Sequence, residues 1–192
     1  MKHGLAALLC AGAALAQPAM DPAASGTSAS RASAPGAQSE LDALPGTRLV
    51  GKARLTVWGF DVYDARLWAP APFSAASYGT SALALELVYL RNFQAADIAE
   101  RSLQEMRRSQ PVSDAQAAQW KAALVRVIPD VRKGDRITGV HRPGQGAAFW
   151  VNGRASGEIS DATFARLFFG IWLSPDTSEP RMRDALLAGS GP

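Results

Sequence analysis

Several groups able to do chemistry crowd into one short run. LTVWGFDVYDARLW, residues 55–68, sets Asp61, Tyr63, Asp64 and Arg66 among large apolar side chains, and Arg54 directly precedes it. A guanidinium can bind two carboxylate oxygens at once, and a phenol can donate to the same group. Arg54 with Tyr63 is therefore a candidate carboxylate grip. The competing reading is an edge-strand arginine facing water and a core tyrosine whose hydroxyl bonds the backbone. Asp64 and Arg66 lie two apart on one face and can pair across to neighbouring strands. Tyr89 and Arg91 end a later strand beside the first expected helix, where a cleft mouth is expected, and complete the candidate ligand set.

Other chemistries are thinly supplied. The chain has two histidines, His3 and His141, and one cysteine, Cys10. His3 and Cys10 fall within an expected leader, which leaves His141 alone. No metal site and no cofactor is expected from such a set. His141 reads as a sheet-edge histidine beside Arg142. Glu100 and Glu105 read as solvated helix positions.

The leader is residues 1–16. Lys2 precedes the apolar run LAALLCAGAALA, and Ala14-Leu15-Ala16 offers small residues where a signal peptidase reads. That run is too short to span a bilayer. Export, most simply to a periplasm, is expected. Residues 17–44 are rich in Ala, Ser, Pro and Gly and read as a flexible linker. Residues 45–190 then suffice for one domain with one core. Without Lys2, 19 basic residues face 17 acidic ones. A balance that mild does not point to nucleic acid as a partner. No later apolar run is long enough for a transmembrane helix.

Periodicity orders the domain. ARLTVW and DVYDARLW alternate with period two, with Gly59 at a tight turn or bulge, and ALALELVYL is a third strand. In the second strand Tyr63, Ala65 and Leu67 share a face opposite Val62, Asp64, Arg66 and Trp68. Helical spacing over 94–108 puts Ala95, Ile98, Ala99, Ser102 and Met106 in one stripe, with Asn92 as the expected N-cap. Ser113 and Gln116 form a capping box for a second helix with Ala117, Trp120, Leu124, Val127 and Ile128 inward. Further strands follow, with turns at Pro143-Gly144 and Asn152-Gly153. Two helices close the chain. The first has Ser160 as its expected cap and a broad apolar face around Phe164, Leu167, Phe168 and Ile171. The second runs from near Pro180 to Gly189. The expected class is α+β, an antiparallel sheet covered by helices on one face.

Four stretches in this order, RLTVWGFDVYDARLW, ADIAERSLQEMRR, DVRKGDRITGVHRPGQGAAFWVNGR and FARLFFGIWLSPDTSEPRMRDALL, resemble the bacterial chalcone isomerase-like proteins. The resemblance runs from about residue 45 to 188. It implies an open-faced β-sandwich with a ligand cleft between sheet and helices. True isomerases of that superfamily use an Arg early in the first hairpin, a Thr on its second strand, a Tyr at the start of the first helix and an Asn further along it. Their fatty-acid-binding relatives keep the Arg and carry Tyr in place of the Thr. By the same correspondence the strand Thr falls at Tyr63, the helix Tyr at Ala95 and the helix Asn at Ser102. The Arg falls near Gly51, where Arg54 substitutes if the strand carries a bulge.

The resemblance thus implies a non-catalytic binder of a small amphipathic molecule, such as a fatty acid or an aromatic acid. The alternatives are an intramolecular lyase acting on an enone and an envelope interaction module without a ligand. Their discriminants are a displaceable lipid, loss of enone absorbance, and a filled interior with an exposed apolar patch.

Overall fold

Alternation of small or apolar side chains with polar ones divides the strand Phe60–Pro70 into two faces. Tyr63, Ala65, Leu67 and Ala69 point one way, and Asp64, Arg66 and Trp68 the other. The computed structural model describes residues 40–41 and 44–191. The expected leader and most of the expected linker lie outside them. Among the described residues six strands pair in chain order as one antiparallel sheet: β1 (Thr47–Val57), β2 (Phe60–Pro70), β3 (Leu83–Tyr89), β4 (Arg136–Arg142), β5 (Gly146–Val151) and β6 (Arg154–Ile159). Helices α1 (Ala95–Ser109), α2 (Asp114–Val127), α3 (Ala162–Leu173) and α4 (Pro180–Leu186) cover the inner face. Helix α3 packs on β4 and β5, α2 on β6, and α4 on β1 and β2, while α1 lies against α2 and α3.

The inner core follows from register. Leu67 pairs with Leu85, Leu85 with Gly139, and Gly139 with Phe149, so one row of the sheet presents large apolar groups to α3. Gly139 leaves the room that the Phe169 ring fills. Leu67, Phe149, Phe164 and Phe169 are fully buried, each stabilising the fold by roughly 1.5–3 kcal/mol. Ser113 caps α2 as expected, accepting from the Gln116 amide at 3.2 Å.

Two other caps differ from expectation. Asp161, one residue beyond Ser160, caps α3 because its carboxylate serves two donors, the Phe164 amide and the Trp120 indole, each at 2.9 Å. At α1 the N-cap is Gln94, and Asp130 reaches across to accept from the Ala95 amide at 2.8 Å. Asn92 is drawn away, its side-chain oxygen accepting from the Lys133 amide.

The outer face is not bare. Leu44 packs with Ala84 and Val140, flanked by Leu41, Trp68 and Trp150. Residues 40, 41 and 44, expected to be linker, therefore contribute to the packing. Glu40 is 1% exposed and lies 3.4 Å from the Arg136 guanidinium. Burial raises its pKa above the usual carboxylate value, with Arg136 opposing. Arg136 also meets Glu86 at 3.5 Å, and Arg66 bonds Glu86 at 2.7 Å. The cross-strand pairing expected of Arg66 is this bond.

His141 corrects another expectation. It sits on β4, an interior strand, and is 1% exposed, with the Phe169 ring 5.2 Å away and Nδ1 2.9 Å from the Ser81 carbonyl. Alternation carries it inward because its neighbours across the ladder, Leu83 and Ala147, are core residues. Burial depresses its pKa below the ordinary 6.5. A depressed pKa adds stability that is present above the ordinary value and lost as pH falls through the folded one. Thermal melts at pH 7.5 and 5 should show the wild-type Tm dropping more than that of His141→Gln. Parallel losses in the two proteins would contradict this.

Candidate functional site

Tyr63 stands on the inner face at the end of the β2–β3 ladder, opposite Leu55 on one side and Tyr89 on the other. Its hydroxyl oxygen accepts from the Trp172 indole N–H at 3.0 Å. Trp172 comes from α3 and is 7% exposed, its ring edge-on to Phe168. Burial lifts the Tyr63 phenol well above its ordinary pKa, with the Trp172 bond opposing, so it stays protonated. Its oxygen accepts that bond, and the neutral phenol keeps a proton it can donate.

The surroundings are ionic. Glu105 and Glu179 push the Tyr63 phenol up and Arg101 pulls it down, so all three act on one hydroxyl. Glu105 corrects the expectation of a solvated position: it is 8% exposed, whereas Glu100 is exposed and bonds Lys121 at 2.7 Å. Helix α1 turns Glu105 toward the core one residue before Met106, and Arg101, one turn earlier, bonds it at 2.6 Å. Arg108 stands 3.6 Å from its other oxygen, which is buried without a hydrogen bond. Glu179, exposed at the N-cap of α4, has its carboxyl pKa raised by partial burial and then by Glu105, against the pull of Arg101. The Arg101–Glu105 pair of α1 and the Glu179 carboxyl at the start of α4 thus both act through their charge on the Tyr63 phenol, which α3 holds through Trp172. Such a cluster can hold a polar head group at the edge of an apolar core.

The expected ligand residues separate. Tyr89 joins Tyr63, ring edge to face at 6.0 Å, and continues to Phe93 at 5.8 Å. Arg91 turns away and stacks over Phe60, 4.9 Å from the ring centroid. Arg54 lies on the outer face. It forks onto Asp64 at 2.6 and 2.9 Å and bonds Asp61 at 2.9 Å. That bond holds the Asp64 carboxyl below its usual range. The bulges in β1–β2 fall at Val50 and Val62, and neither moves Arg54 to the side of Tyr63. Arg54 and Tyr63 therefore do not share a site.

Residues 46–188 match the profile of the chalcone isomerase-like family. This chain belongs to the chalcone isomerase-like family. Among solved structures it is similar to a fatty-acid binding protein of Arabidopsis thaliana, at 12% identity and a TM-score of 0.58, over 74% of this chain and 87% of that one. The likeness shows a shared fold. No curated protein matches this sequence.

The positions that the resemblance assigns to a site hold other groups here. Gly51 occupies the expected arginine position, and a Cβ there would overlap the carbonyl oxygens of Ala185 and Leu186. The C-terminal turn of α4 fills the space an arginine would need, and the Gly189 amide bonds the Val50 carbonyl at 2.9 Å. Ala95 offers no side-chain donor, and the Ser102 hydroxyl donates back to the Ile98 carbonyl at 2.8 Å. The sequence signal for the ionic cluster was faint. Glu105 follows Arg101 by one helical turn, and Glu179 precedes a helix-starting proline, but nothing local marks either as facing Tyr63.

Two substitutions probe this arrangement. Gly51→Ala should lower stability by about 1–3 kcal/mol through overpacking against α4. Trp172→Phe should cost about 1–3 kcal/mol by stranding the Tyr63 hydroxyl. Urea unfolding measures both, and wild-type midpoints would contradict the packing described.

Proposed function

We propose that this protein is an exported, non-catalytic binder of a small amphipathic acid, such as a fatty acid, working in the cell envelope. The observation that carries this reading is the Tyr63 hydroxyl, fixed by the Trp172 indole at 3.0 Å at the end of the β2–β3 ladder, its neutral phenol keeping a proton to donate. A ligand carboxylate would accept a hydrogen bond from that hydroxyl, and the part-exposed Arg101 would supply positive charge. Its apolar tail would lie along the aromatic ladder of Tyr63, Tyr89 and Phe93. Arg101 would thus stand in for the arginine excluded at Gly51. The fatty-acid binding protein of the same fold supports this choice of ligand class. Ala95 and Ser102, in place of the isomerase Tyr and Asn, favour a binder over an isomerase.

Titration with a fluorescent long-chain fatty acid tests the reading. Binding at micromolar concentration, displaceable by unlabelled acid, is the expected result. Tyr63→Phe should weaken it about tenfold or more, as for a lost hydrogen bond to a charged group. No binding, or equal binding by the variant, would remove the proposal. In the same preparation a chalcone should keep its enone absorbance.

A further inference from the structure

Two hairpins of the sheet turn in the same way and are built from different residues. Asn152-Gly153 joins β5 to β6 with φ of +50° and +84°, and Trp58-Gly59 joins β1 to β2 with φ of +50° and +80°. Positive φ at both central residues is the signature of a type I′ turn, whose first position favours Asn. A bulky side chain there is strained, and strain of this kind concentrates at functional sites. Trp58 gains nothing from packing in return, because it is 65% exposed, and Phe60 beside it is 60% exposed.

The tip also projects. Pairing of β1 with β2 runs out to Val57–Phe60, whereas the ladder from β2 to β3 begins only at Tyr63. One cation touches the tip, and two more lie on the loop that bridges to the segment after it. Arg91 lies over the Phe60 ring, and the exposed Arg132 and Lys133 follow Val131, which bridges to Phe93. Nearby acids already have partners: Asp61 and Asp64 bind Arg54, Asp130 caps α1, and Asp135 accepts from Asn152.

We infer that the Trp58–Phe60 tip is a docking site for a lipid bilayer surface, inserting both rings at headgroup depth while Arg91, Arg132 and Lys133 meet phosphates. Tryptophan is enriched at that depth, where an apolar ring and a polar edge are both served. Two rings bury about 300–500 Å² together, short of the roughly 800 Å² per side typical of a stable protein–protein interface. A protruding convex tip suits a soft interface better than a flat partner. The inference does not depend on the ligand reading, since Tyr63 lies on the inner face and outside the tip.

The experiment uses the protein with vesicles of phosphatidylcholine, with and without phosphatidylglycerol. Co-sedimentation is expected, stronger with the anionic lipid, together with a blue shift of tryptophan emission dominated by exposed Trp58. Trp58→Asn should raise Tm by relieving the turn and reduce vesicle binding at least tenfold, a split that a purely structural tryptophan would not give. Phe60→Ser should weaken binding with Tm unchanged. The inference falls if the protein stays in the supernatant at millimolar lipid, if Trp58→Asn binds as well as wild type, or if the tip instead drives concentration-dependent dimerisation. Failure here would leave fatty-acid titration unaffected, so the two readings are separable.

Discussion

The two-sidedness of β2 is the constraint on which the site depends. One strand sends Tyr63, Ala65, Leu67 and Ala69 under the helices and Asp64, Arg66 and Trp68 to the outer face. On its neighbour β1 the glycine at position 51 lets α4 approach at backbone distance. That approach excludes a long side chain from the inner face at this point. At the other end of α4, the Glu179 carboxyl is raised by its own burial and then by Glu105, and it acts through its charge on Tyr63.

The ionic cluster shows how partial burial makes chemistry available. A carboxylate 8% exposed, with one oxygen lacking a hydrogen bond, is costly to keep charged. Arg101 and Arg108 stand against it at 2.6 and 3.6 Å, while Glu179 has its pKa raised first by its own burial. Tyr63 remains neutral between them. Its environment differs from that of Arg54, whose two aspartate partners occupy it in full view of solvent. An arginine with both edges satisfied has little left for a ligand, whereas Arg101 is engaged chiefly by one carboxylate.

Much of the fold could be read from residue order. Alternation in β1 to β3, the Ser113 cap and the Asn152-Gly153 turn are local signals, and each holds in the structure. The features that could not be read are long-range ones. Asp130 caps α1 from 35 residues away, and Glu40 reaches Arg136 across 96. His141 reads as an edge residue only until the sheet order makes β4 interior. Within the candidate site, Tyr63 and Tyr89 were each legible as candidate contacts, and only the strand register makes them neighbours. Arg54 was misjudged because Tyr63 pairs with Leu55, which leaves Arg54 on the other face. Glu105 was missed because a helix position is known to be buried only once its neighbours α3 and α4 are in place.

The central claim is that Tyr63 and its ionic neighbours receive a carboxylate at the edge of the apolar core. Carbon-13 NMR of a fatty acid labelled at its carboxyl carbon tests this most directly. The account predicts a distinct bound resonance that Tyr63→Phe shifts and whose pH dependence departs from that of the free acid. A spectrum containing only the free resonance, at protein in excess of ligand, would contradict it.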